Sequence, residues 1–217
     1  MDITWLGHAA TRVRTRSAAV VMDPYDRSVG GTMGRPDAHI ITISHQDPLR
    51  NGVAGVAPAD GAPMVLDGPG EYEIRGVLIE SVRASLRQAE GRLPEPPEAL
   101  RSVLWHFEAE DLRVAHLGGL GTQPDAAQLD LLGDVDIVII PIALPDTLAP
   151  ADAARAIRAL EPTITIPVGY DPAGDGSALK TFVEALALKP EDPVSRFTIQ
   201  RRSASEERRL VLLEARA

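Results

Sequence analysis

HIITISHQDPLRNG, residues 39–52, decides how this chain is read. Its first five residues are mostly apolar and β-branched, the composition of a buried strand. At Ser44 the composition turns polar, and the loop that follows carries a histidine, an aspartate and an arginine at positions 45, 47 and 50. Loops at strand ends are where functional groups collect. Working outward, the same arrangement recurs four times. GHAA (7–10), DPYD (23–26), HLGGLG (116–121) and PVGYDP (167–172) each follow an apolar strand-like run. In a layered sheet, loops at equivalent strand ends converge on one edge, which predicts a composite site.

The remaining punctuation gives the architecture. Residues 2–6 alternate, and 11–14 with 18–22 read as a hairpin. Further strands are expected at 64–66, 73–75 and 77–82, then at 102–108 and 112–116 as a second hairpin. The segment 86–100, with three prolines, reads as a long exposed loop. Helices are expected over 124–132, with Pro124 in the first turn, 150–160 and 178–188. They alternate with strands at 135–140 and 163–167, and 197–199 and 210–214 close an edge. Buried strands need cover on both faces, and the helices supply it. The expectation is one domain, 1–217, of the α/β (α+β) class, with two packed sheets and helices outside.

Composition narrows the function. Lys plus Arg number 22 against 31 Asp plus Glu, a formal charge of −9. That argues against a general phosphate-backbone binder, so no nucleic-acid partner is expected. The 217 residues include no cysteine, which rules out disulfide scaffolds, thiolate zinc sites and cysteine nucleophiles. No apolar run approaches the roughly 20 residues of a membrane helix, and the opening MDITWLGHAA has no basic segment before an apolar run. The cytoplasm is the expected compartment, with no membrane partner.

The stretches ITWLGHAA, MDPY, TISHQDPLRNG, DGPGEYEIRG, AHLGGLG and ITIPVGY, in this order and spacing, resemble the metallo-β-lactamase superfamily. The resemblance is to the branch containing ascorbate-6-phosphate lactonase and related zinc-dependent hydrolases, and it runs from residue 3 to about 213. It implies an αββα four-layer sandwich with a metal site along one edge. It also implies an H-x-H-x-D-H motif whose histidines and aspartate bind two metals, a further histidine, a bridging aspartate and a last histidine. In this chain His45 keeps the first motif position. Asp47, Leu49 and Arg50 replace the second histidine, the aspartate and the last motif histidine. His116 stands at the further histidine, Gly119 at the bridging aspartate and Gly169 at the final histidine.

Donor chemistry says what those replacements do. Leu49 and Gly169 offer no donor, and a guanidinium cannot be deprotonated, so a two-metal centre of the family type is not available. His45, Asp47 and His116 remain as a two-histidine, one-carboxylate set for a single zinc, iron or manganese ion. Arg50 either orients an anionic substrate group bidentately or pairs with Asp47 and withdraws it from the metal. His8, Asp23 and Glu71 are further pocket candidates, each with a structural alternative: a satisfied hydrogen bond, a turn before Pro24, a role in a tight glycine turn. His39 and His106 read as ordinary strand positions. Arg201, Arg202, Arg208 and Arg209, mixed with Glu206 and Glu207, read as a solvated surface.

Two functional expectations follow. One is a catalytically degenerate member, without the dinuclear centre, that binds an anionic small molecule or a partner. The other is a mononuclear metal-dependent hydrolase of a lactone or phosphorylated small molecule. A homo-oligomer is compatible with either.

Overall fold

The computed structural model describes residues 1–87, 98–201 and 207–216. The first half is a run of strands: β1 (Asp2–Gly7), β2 (Ala10–Arg14), β3 (Ala19–Met22), β4 (Asp37–Ala38), β5 (Ile40–Thr42), β6 (Ala57–Pro58), β7 (Met64–Leu66), β8 (Glu71–Ile74) and β9 (Val77–Ser85). β10 (Arg101–Ala109) and β11 (Leu112–His116) follow. Alternation then sets in: α1 (Ala126–Leu132), β12 (Ile137–Pro141), α2 (Pro150–Leu160), β13 (Ile164–Val168), α3 (Ser177–Leu186), β14 (Phe197–Thr198) and β15 (Arg209–Leu210).

The strands form two large sheets, ordered β14-β1-β2-β3-β5-β7 and β15-β13-β12-β11-β10-β9-β8, with β4 and β6 as a small pair. The run VDIVII shows why both faces need cover. Ile137 and Ile139 point into the core between the sheets, while Val138 and Ile140 point to the helices. Ile3, Trp5, Val20 and Ile40 meet Ile79, Trp105, Phe107 and Val114 in the inter-sheet core. On the far side of the seven-stranded sheet, Ala153, Ile157 and Leu160 of α2 and Phe182 of α3 close over Leu104, Ala115 and Val138.

The four layers of the sandwich are present, with one layer built unexpectedly. Over the outer face of the six-stranded sheet, Leu6, Val21 and Ile41 are covered by Tyr25, Met33 and Val56. These come from irregular chain and short 3₁₀ turns at Arg27–Val29 and Val53–Gly55 rather than from an α-helix. Apolar cover is what the sheet requires, and glycine-rich chain with Gly30, Gly31, Gly52 and Gly55 can wrap it without helical hydrogen bonding.

Boundaries moved where tertiary contacts or caps decided them. Pro124 lies before α1, not in its first turn, because Asp125 caps the helix: its side chain accepts from Gln128 N while the Gln128 side chain reaches back to Asp125 N. β9 runs on to Ser85 because β10 pairs with it along its length. Of the expected 86–100 loop, Glu98–Leu100 forms a 3₁₀ turn and residues 88–97 lie outside the described residues. Arg202 and Glu206 of the C-terminal charge cluster lie outside them too. Among the described residues no helix is long and apolar enough to cross a membrane.

Candidate functional site

Parallel pairing of β3 with β5, of β11 with β12 and of β12 with β13 puts the C-terminal ends of these strands side by side. The loops that leave them meet at one edge of the sandwich, and the hydrogen bonds trace the meeting. Ser44 N and Oγ donate to Asp23 Oδ1 and Oδ2 at 2.7 and 2.6 Å. Val103 N donates across to Ser44 O at 2.9 Å. Ser102 Oγ donates to Gly119 O at 2.5 Å. His116 Nε2 lies 3.0 Å from Ala9 O, so this nitrogen carries the proton.

Asp23 and His116 pack beside each other beneath these strand ends. Both are fully buried, and His116 Nδ1 sits 3.8 Å from Asp23 Oδ2, too far for a hydrogen bond. Burial raises the Asp23 carboxyl above its ordinary range, against the pull of His116, Arg50 and Ser44. Burial lowers His116, against Asp23 and the Ala9 carbonyl, so the ring is held neutral. With its proton on Nε2, His116 presents an unpaired Nδ1 lone pair. Gly118 permits this packing, because a Cβ there would fall 1.9 Å from Asp23 Oδ2. Asp23 is thus a buried member of the site rather than only the turn before Pro24.

Arg50 is buried in the same cluster of loops. Its side chain is 0% exposed. Nη1 donates to Asp47 Oδ2 at 2.6 Å and to Asp146 Oδ2 at 2.8 Å, Nη2 to Asp146 Oδ1 at 2.6 Å, and Nε to the Gly118 carbonyl at 3.0 Å. Burial opposes the charge, but Asp146, Asp23 and Asp47 outweigh it and raise the guanidinium pKa above its ordinary value. This corrects the expectation that Arg50 orients an incoming anion: its fork is committed to two carboxylates of the chain itself. Asp146 was not among the sequence candidates. It lies in the loop after β12, a sixth loop following an apolar strand, and the rule that found the other five would have found it.

The remaining candidates are placed elsewhere. His45 is half-exposed, and its Nδ1 donates to Arg101 O at 2.8 Å, which leaves Nε2 toward the adjoining cavity. His8 has a left-handed φ of 47° and stacks edge-on to Tyr25, with Nε2 3.4 Å from Gly30 O. Glu71 is exposed on the edge strand β8, so the pocket role considered for it is not seen. Leu49 is half-buried in the same loop as Arg50.

The donor set does not match the metals that the resemblance implies. Among the described residues no group of three or more His, Asp or Glu side chains is arranged to hold a metal ion. His45, Asp47 and His116 are therefore not brought together as a ligand triad, and each is engaged with a different partner. Nor is there room for the missing ligands. A Cβ at Gly119 would lie 2.5 Å from Ser102 Cβ. One at Gly169 would lie 2.9 Å from Pro141 Cβ and 3.0 Å from Leu144 Cγ, at a φ of +67°. A pair of metals does not fit these residues as they stand.

Beside His45 opens a cavity of about 800 Å³, lined among others by Ser44, Arg83, Arg101, Ser102 and Gln128. Another, of about 850 Å³, lies at the opposite strand ends against Met1, Arg14 and Glu110. None of the candidate site residues His8, Asp23, His45, Asp47, Arg50, Glu71 and His116 lines it, and Glu110 is occupied by the terminal amine and Arg16. The cavity beside His45 is the candidate site.

Comparison with known proteins agrees with the fold. Residues 2–169 match the family model described as the beta-lactamase superfamily domain. A UPF0173 protein of Pyrococcus abyssi is 28% identical over 187 residues, covering 82% of this chain and 87% of its own. A UPF0173 metal-dependent hydrolase of Methanopyrus kandleri is 27% identical, covering 88% and 95%. In three dimensions, a proposed zinc-dependent hydrolase of the metallo-β-lactamase superfamily from Thermotoga maritima matches with a TM-score of 0.76 at 24% identity, over 99% of this chain and 98% of that one.

Proposed function

The chain belongs to the beta-lactamase superfamily, and on that premise we propose that it uses the superfamily's edge pocket to bind a small anionic molecule without a two-metal centre. The observation that carries this reading is Arg50, a buried cation in the motif position where the resemblance calls for a metal-binding histidine, engaged through four of its five N–H donors by Asp47, Asp146 and the Gly118 carbonyl. Anion recognition then falls to the neighbouring cavity, where Arg83, Arg101 and His45 line the wall. Asp67, Glu98 and Asp125 also line it, so an anion would be selected by position rather than by net charge. The cytoplasm is the compartment we assign to it. A thermal-shift screen with organic phosphates and carboxylates tests the reading, since a ligand of the folded state raises the melting temperature. A shift abolished by Arg83→Ala supports it. No shift across both classes overturns it.

One observation favours a second reading, mononuclear metal-dependent hydrolysis of a lactone or phosphorylated small molecule. Asp47 Oδ1 and His116 Nδ1 are buried with no hydrogen-bond partner. The hydrolase names carried by relatives point the same way. It requires Asp47 to leave Arg50 and His45 to leave the Arg101 carbonyl. Metal uptake and turnover that both vanish in His116→Ala would establish it.

A further inference from the structure

We infer that the Arg50 guanidinium does the structural work of a second bound cation: it ties three strand-end loops from both sheets into one site that assembles without metal. The geometry is specific. Asp47 comes from the loop after β5 in the six-stranded sheet. Gly118 and Asp146 come from the loops after β11 and β12 in the seven-stranded sheet. Arg50 reaches all three at 2.6–3.0 Å with Nε, Nη1 and Nη2. A planar fork is suited to this, because it bonds one carboxylate bidentately while another edge serves a carbonyl. A lysine carries the charge but not the fork.

The surroundings have closed around that arrangement. Arg87 N donates to Asp146 O at 2.6 Å and its guanidinium reaches Pro145 O at 2.6 Å, which fixes the Asp146 loop from behind. Ser102 fills the space beside Gly119, and Leu144 and Pro141 fill the space beside Gly169. The positions that would carry the bridging and final ligands are thus occupied by packing atoms, and the cation that joins Asp47 to Asp146 is covalently part of the chain. Burying a guanidinium carries a large desolvation cost, which only well-formed pairing offsets. Removing it leaves Asp47 and Asp146 facing each other with no counter-ion. The inference holds whether or not the neighbouring cavity binds a ligand.

Thermal unfolding of the full chain tests it, with and without a chelator and with added zinc. The parent melting temperature should not move on chelation. Arg50→Ala should lower it by on the order of 10 °C. Millimolar methylguanidinium should recover part of that loss in Arg50→Ala and leave the parent unchanged. Arg50→Lys should fall between the two, and it carries the test if Arg50→Ala does not fold. A parent that loses stability on chelation and regains it with zinc overturns the inference. So does an Arg50→Lys variant as stable as the parent.

Discussion

Arg50 and Asp146 face each other through two parallel hydrogen bonds, Nη1 to Oδ2 at 2.8 Å and Nη2 to Oδ1 at 2.6 Å, across 96 residues of sequence. The pair joins a loop of the first sheet to a loop of the second. It is also the contact that commits the guanidinium, because Asp47 alone would leave half of the fork free.

Asp146→Asn keeps the shape and removes the charge. Asp146 is a quarter exposed, so solvent screens part of the loss, and a cost of about 2 kcal/mol is expected. Urea unfolding of the variant checks this. A stability equal to that of the parent would mean that Asp47 suffices.

Gly119→Asp would restore the bridging carboxylate that the family resemblance calls for. A Cβ there meets Ser102 Cβ at 2.5 Å and Oγ at 2.8 Å, so the variant should lose about 1–3 kcal/mol to overpacking. Adding Ser102→Gly should recover part of the loss. If Gly119→Asp alone is neutral by urea unfolding, the space is open and the packing argument fails.

Acid should destabilise the protein through its buried histidines. His106 pairs in register with Glu80, and burial lowers it below the ordinary 6.5 despite that carboxylate. The folded chain therefore binds fewer protons than the unfolded one once pH falls through about 6.5, and stability declines from there. His116 acts in the same sense, while Asp23, raised by burial, acts in the opposite one. The readout is consequently the difference between parent and His106→Gln. Urea midpoints between pH 7.5 and 5 should fall less in the variant, and parallel profiles would refute the assignment.

What the sequence disclosed and what it hid divide along the distance between partners. Strand-end loops such as GHAA and SHQDPLRNG are local signals, and so is the spacing of Asp47 and Arg50, three residues apart. β7, β11 and α2 have the bounds that their patterns predict, because apolar periodicity and a flanking turn or Pro150 set their limits. Asp23 was harder to read: Asp-Pro is turn chemistry, and its burial depends on Ser44, which is 21 residues away. The loop of Asp146 follows an apolar strand and was legible as such, but its pairing with Arg50, 96 residues away, was not. The irregular cover over the six-stranded sheet carries no periodicity at all, so nothing local announced that it would stand in for a helix.

A guanidinium holding this pocket where the family resemblance calls for metal is the inference most open to measurement. Elemental analysis of the full chain, purified without chelator, tests it most directly. The account predicts no stoichiometric zinc, iron or manganese and an unchanged fold in His116→Ala. One or two equivalents of metal per chain, lost in His116→Ala, would contradict it.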